Sequence, residues 1–142
     1  MDTRFSSAIH MLVLIAVSGA PVTSEDIAIS VGTNPSYIRK IIGLLKRKDI
    51  VESHQGVSGI RLKQQPEKLT LFQIYQAVNE TEFIRLFDLH RNPNDRCAVG
   101  RHIRPVLGDM FMELESSFAH ALAGKTLADC IELIRSEDEL FV

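Results

Sequence analysis

The stretch P-V-T-S-E-D-I-A-I-S-V-G-T-N-P-S-Y-I-R-K-I-I-G-L-L-K-R-K, Pro21 to Lys48, decides how the rest of this chain reads. It predicts two short helices joined by a tight turn. Thr23 or Ser24 can cap the first, and Glu25 and Asp26 place negative charge in its first turn, where the free amides favour it. Gly32 supplies the left-handed residue that ends that helix. Asn34 caps the second helix, and Pro35 takes its first position, where a missing N–H costs nothing. At about 100° per residue, Ile38, Ile41, Ile42 and Leu45 share one side of the second helix. Ser36, Arg39, Lys40, Gly43 and Arg47 share the other. One side can be buried while the other presents hydroxyl, guanidinium and ammonium groups, which is what a helix in a DNA major groove needs. An amphipathic helix with a merely solvated face has the same pattern, so the next segment must arbitrate.

That segment, D-I-V-E-S-H-Q-G-V-S-G-I-R-L-K, places Ile50 and Val51, then Ile60 and Leu62, as short β runs around the turn Gln55–Gly59. A small hairpin directly after a helix–turn–helix is the wing of a winged helix. His54, Gln55, Gly56 and Ser58 stand at its tip, with Arg61 and Lys63 on the returning strand. Glycines there let backbone approach a phosphate or a narrow minor groove. The order of helix, helix–turn–helix and hairpin favours DNA binding over a plain hairpin with a flexible tip.

Before this module, Ala8, Leu12, Ile15 and Ala16 form the stripe of a first core helix. The opening M-D-T-R-F-S-S-A-I-H-M-L-V-L-I-A-V-S-G-A mimics a secretory leader, but Asp2 offsets Arg4 and His10 interrupts the apolar run. The run is also too short to span a bilayer, so a cytoplasmic protein is expected. After the module, Gln64–Lys68 is a polar connector, Thr70 caps a helix over Leu71–Val78, and residues 85–96 are irregular around Asn92-Pro93-Asn94. From Val99 to Ala123 a long helix carries Val99, Ile103, Val106, Met110, Leu114 and Phe118. So small a domain has little core to bury a helix of that length and apolarity, and pairing with its copy in a second subunit is expected over an intramolecular core helix. Pro105 must lie in the first turn of that helix or kink it. Gly124 ends it, and a terminal helix, Thr126–Ile134, precedes an acidic tail. The fold class is therefore mainly α with a small β-hairpin. A winged helix-turn-helix DNA-binding domain spans residues 1–80, and a loop, a long dimerisation helix and a terminal helix span 81–142.

Charge divides the same way. The net charge of the 142 residues is −2, but residues 1–68 carry +3, residues 69–142 carry −5, and residues 33–63 alone carry +5. A basic module joined to an acidic half suits a nucleic-acid face with a separate association or sensing half. No phosphate-cradling glycine loop, nucleophile elbow or Cys-x-x-Cys pair occurs, which argues against an enzyme. His90, Cys97 and His102 surround one loop, but the other ligand types are missing and no metal is expected. Two cysteines are too few for a disulfide framework and fit a reducing compartment. Cys97 precedes the long helix beside Arg96, Arg101 and His102, where positive charge and free amides both stabilise a thiolate. It is the candidate redox sensor, with an inert, half-buried cysteine as the more ordinary reading. Cys130 sits among apolar neighbours and is expected in the core.

R-F-S-S-A-I-H-M-L near the start, the T-S-E-D-I-A and N-P-S-Y-I-R-K-I-I-G-L-L blocks, the S-H-Q-G-V-S-G-I-R-L hairpin and the L-T-L-F-Q-I-Y-Q-A-V helix occur in that order. Together they resemble bacterial winged-helix regulators of the Rrf-two type, the group of IscR, NsrR and CymR, over nearly the whole chain. The resemblance implies a homodimer built on the long helix, a recognition helix in the major groove and a wing in the minor groove. By position it assigns Ser36, Tyr37, Arg39 and Lys40 to the recognition helix, His54 to Gly59 to the wing tip, and Arg4 and Ser6 to an N-terminal DNA-contacting segment. Thr23 and Arg61 complete the candidate contact set. Cluster-bearing members hold three cysteines before the long helix, whereas this loop has only Cys97. One thiolate cannot hold an iron–sulfur centre that wants four ligands, so no iron–sulfur cluster or other cofactor is expected. The implied subgroup is the cluster-free one, similar to CymR. The reading is a DNA-binding repressor acting on a palindromic operator, responding to thiol oxidation at Cys97, a small ligand or a protein partner. The alternatives are a winged-helix protein-interaction module without DNA binding and a small thiol enzyme centred on Cys97.

Overall fold

The caps legible in the sequence set the helix boundaries. In the computed structural model, which describes residues 2–54 and 59–138, the elements are α1 (Arg4–Val17), α2 (Ser24–Val31), α3 (Pro35–Arg47), β1 (Val51–Glu52), β2 (Arg61–Leu62), α4 (Leu71–Asn79), α5 (Ala98–Ala123) and α6 (Leu127–Glu137). At the start of α2 the Thr23 hydroxyl oxygen accepts from the Asp26 amide at 3.1 Å, and the Asp26 carboxylate accepts from the Thr23 amide at 3.2 Å. The same reciprocal box, Thr70 with Gln73 and Thr126 with Asp129, opens α4 and α6. Gly32 closes α2 at φ 84°, and Asn34 opens α3 by accepting from the Tyr37 amide at 2.9 Å.

The core lies where the apolar stripes of these helices meet. Met11 and Leu12 of α1, Ile27 of α2, Ile38, Ile41 and Leu45 of α3, and Ile74 and Val78 of α4 are fully enclosed in one cluster. The hairpin closes one edge: Val51 faces Leu62 and Glu52 faces Arg61 across an antiparallel pair. Its base is pinned to the segment before α2, because the Ile60 amide donates to the Val22 carbonyl at 2.8 Å. Gly59 makes that possible. Its φ is 104°, and a Cβ there would run into Pro21. The tip residues Gln55, Gly56 and Ser58, expected at the wing, lie outside the described residues.

α5 runs for 26 residues, and Pro105 is its eighth. The first-turn option is thereby excluded: the proline sits two turns in, and the Arg101 carbonyl has no amide to accept from four residues on. One flank of α5 is covered by α4 and the 81–97 segment. The rings of Phe87 and Phe111 lie 4.9 Å apart, and Glu115 accepts from the Phe87 amide at 3.4 Å. The other flank is bare, with Val106, Met110 and Leu114 each more than half exposed (52, 54 and 53%).

After α5 the chain returns to the core of the first eighty residues. The Leu127 amide donates to Leu69 at 2.8 Å, the Leu71 amide to Lys125 at 2.9 Å, and Leu127 and Ile131 join the central cluster beside α1. α6 continues to Glu137, three residues past the expected Ile134. Cys130, expected in the core, is instead half-buried: it packs against the core's edge, where it lines the groove between α1 and α6.

Candidate nucleic-acid interface

The inner face of α3 is fully buried, and that fixes what its outer face presents. With Ile38, Ile41 and Leu45 inside, Ser36, Arg39 and Lys40 point to solvent. Nothing lies within 4 Å of where a Cβ on Gly43 would sit, so the middle of the helix can be approached closely. Tyr37, the fourth expected recognition residue, is half-buried against the core edge and offers only part of its ring.

Between the start of α2, α3 and the hairpin runs a cleft of about 520 Å³, bordered by Thr23, Ser24, Arg39, Gly43, Lys46 and His54. Lys46 was not singled out by helical periodicity, because it sits between the two sides of the wheel. Its Nζ donates to Ser53 Oγ at 2.8 Å and ties α3 to the hairpin, a contact visible only in three dimensions. Arg39 Nη1 lies 3.6 Å from Glu25 Oε1, and His54 Nε2 lies 3.7 Å from Glu52 Oε1. Thr23 takes part through a hydroxyl whose oxygen already caps α2. Arg61 is exposed on β2. Two cations of the sequence reading are turned elsewhere: Arg47 bonds Glu80 at 3.0 Å, and Lys63 bonds Asp49 at 3.1 Å.

The N-terminal pair is placed differently. Arg4 is gripped by Asp2, with Nη2 at 2.7 Å and Nε at 2.9 Å from Oδ2, and Arg4 holds the Asp2 carboxyl below the usual carboxylate range. Phe5 stacks edge-on against Tyr75 at 5.5 Å, anchoring this end of α1 to α4. Ser6 faces a separate apolar groove between α1 and α6.

Cys97 is the N-cap of α5 and is exposed. The backbone amides of Gly100, then Val99, at the start of α5 pull the thiol below its ordinary value, although its sulfur makes no capping hydrogen bond. The arginines and His102 invoked by the sequence reading are not the cause. Gly100 itself is required, since a Cβ would enter the Asn94 carbonyl. A lowered thiol pKa keeps thiolate populated as pH falls. Iodoacetamide should therefore modify the exposed Cys97 before the half-buried Cys130, with the Cys97 rate rising at lower pH than that of a free thiol. Mass spectrometry of quenched time points across a pH series checks this, and equal rates at both cysteines would refute it.

The family model Rrf2, described as an iron-dependent transcriptional regulator, matches residues 1–133. The chain belongs to the Rrf2 family. It is a DNA-binding transcriptional regulator and not an enzyme. A Bacillus subtilis (strain 168) protein named "Putative HTH-type transcriptional regulator YwnA" is 40% identical over 129 residues, 91% of this chain and 95% of that one. The crystal structure of "a putative DNA binding protein" shares 37% identity at a TM-score of 0.74, covering 90% of this chain and 98% of that one. In fold alone the chain is also similar to CymR, the global cysteine regulator of B. subtilis (16% identity, TM-score 0.70, 93% of this chain and 95% of that one). The same holds for T. potens IscR (20% identity, TM-score 0.68, 99% of this chain and 89% of that one).

Cys97 and Cys130 sit on different helices, and among the described residues no three His, Cys, Asp or Glu side chains gather as a metal-binding group. Among the same residues, no helix is long and apolar enough to cross a membrane.

Proposed function

We propose that this Rrf2 regulator represses transcription by binding a two-fold symmetric operator as a homodimer, without an iron–sulfur cluster. The observation that carries the reading is the two-sided α3: three fully enclosed isoleucine and leucine side chains behind, and Ser36, Arg39 and Lys40 in front beside a cleft that reaches the hairpin. α3 then enters the major groove and the hairpin approaches the flanking minor groove or backbone. In this reading residues 1–80 form the DNA-binding part and residues 81–142 the dimerising and sensing part. Two unpartnered apolar surfaces support the dimer. One is the bare stripe Val106, Met110, Leu114 and Phe118 on α5. The other is the groove of about 570 Å³ between α1 and α6, lined by Phe5, Ile9, Val13 and Ile134, where a partner's helix can seat.

The test is binding to the promoter region of the protein's own gene over a range of salt. Specific binding with a steep salt slope is expected, since each phosphate neutralised adds to the slope. Absence of specific binding there and on genomic fragments at every salt would favour the interaction-module alternative. Arg39→Ala should weaken operator binding by about 1–3 kcal/mol while leaving unrelated DNA nearly unaffected, if Arg39 reads a guanine edge. Equal weakening on all sequences would make it a phosphate contact.

Exposure and amide stabilisation of the Cys97 thiolate support it as the sensor. Attack on a peroxide would give the sulfenic acid and release hydroxide. Oxidation should then abolish operator binding in the wild type and spare Cys97→Ser. Binding indifferent to oxidation in both would direct the search to a ligand or partner.

A further inference from the structure

We propose that Glu25 sets the sequence selectivity of this face by acting on Arg39, an inference that deepens the DNA-binding reading and rests on it. Glu25 is the second residue of α2, held in place by the Thr23–Asp26 box. The packing of α2 on α3 brings its Oε1 to 3.6 Å from Arg39 Nη1. Among the described residues bordering the cleft between α2, α3 and the hairpin, it is the one acid. Asp26 is occupied by the cap, and Glu52 faces His54.

Folding alone gives little reason for this pair. Both side chains are largely exposed, 55% for Arg39 and 66% for Glu25, and exposed pairs add little to stability. An acid is also unfavourable where a protein must meet phosphates. Its effect on Arg39 is what distinguishes the position. The carboxylate offsets the attraction between Arg39 and a passing phosphate, which is the sequence-independent part of binding. At 3.6 Å it is an ion pair without a hydrogen bond, which draws Nη1 toward Glu25 while the planar fork of five N–H donors keeps an edge for DNA. A guanine can take that edge bidentately, whereas a base without paired acceptors leaves it unsatisfied. Glu25 is thus a positioning residue that converts Arg39 from a phosphate anchor into a base reader.

The experiment compares a duplex that the wild type selects from a random-sequence pool with an unrelated duplex of equal length, each across a salt series. Glu25→Gln should bind the unrelated duplex more tightly, with a salt slope steeper by about 0.9, the value of one further phosphate contact. The ratio of selected to unrelated affinity should fall about tenfold, the lower end of what one well-read base pair supplies. Glu25→Asp, which keeps the charge, should restore most of that ratio. In an Arg39→Ala background, Glu25→Gln should affect both duplexes alike. The proposal is overturned if Glu25→Gln changes both affinities by one factor when Arg39 is present, or if the ratio still falls when Arg39 is absent. Failure of the wild type to select any sequence would remove the DNA-binding reading itself, an outcome recognised before any variant is made.

Discussion

Replacing Ile41 by Ala should lower the unfolding free energy by about 2–5 kcal/mol, the range for deleting most of a large aliphatic side chain from a packed core. Ile41 is fully buried at the centre of α3, which packs against α2, α4 and β1. Truncation removes its apolar contacts and leaves a cavity that three separate elements would have to move to fill. Urea unfolding at one fixed protein concentration measures the loss, with Ile29→Ala as the internal control. Ile29 is the same residue type on the adjacent helix but is 82% exposed, and its removal should stay within about 0.5 kcal/mol. DNA binding by the folded fraction of Ile41→Ala should weaken less than in Arg39→Ala, because the outer face keeps its donors. A cost under about 1 kcal/mol at Ile41 would mean that the inner face of α3 is not the core side.

Replacing Leu114 by Glu should convert the protein from twice the chain mass to once the chain mass in light scattering or sedimentation. Leu114 lies mid-way along the bare stripe of α5, 53% exposed and flanked along the helix by Met110 and Phe118. In a symmetric pairing each copy would meet the other's new carboxylate in an apolar seam, where an unpaired charge is strongly unfavourable. Operator affinity should fall roughly 10²-fold or more, since a monomer loses the effective concentration that couples two half-sites. Far-UV circular dichroism should be retained, which separates loss of the dimer from loss of the fold. Retention of the dimeric mass would sink the α5 pairing.

The sequence by itself determined where α2, α3, α4 and α6 begin, because caps depend on interactions spanning three or four residues. Thr23, Asn34, Thr70 and Thr126 each cap the helix that their spacing announced, and Gly32 closes α2 with a positive φ. The two-sided character of α3 was equally legible, since periodicity reports which side chains share a face. Periodicity does not report what a face packs against. Tertiary structure therefore decided that α6 returns to α1 beyond the long helix, that Gly59 yields to Pro21 at the hairpin base, and that Lys46 bonds Ser53. It also decided which cations remain on the DNA-facing side, turning Arg47 to Glu80 and Lys63 to Asp49 while placing Glu25 beside Arg39. Ion pairs between residues distant in sequence depend on how helices cross, and that geometry is fixed only when the whole core is assembled.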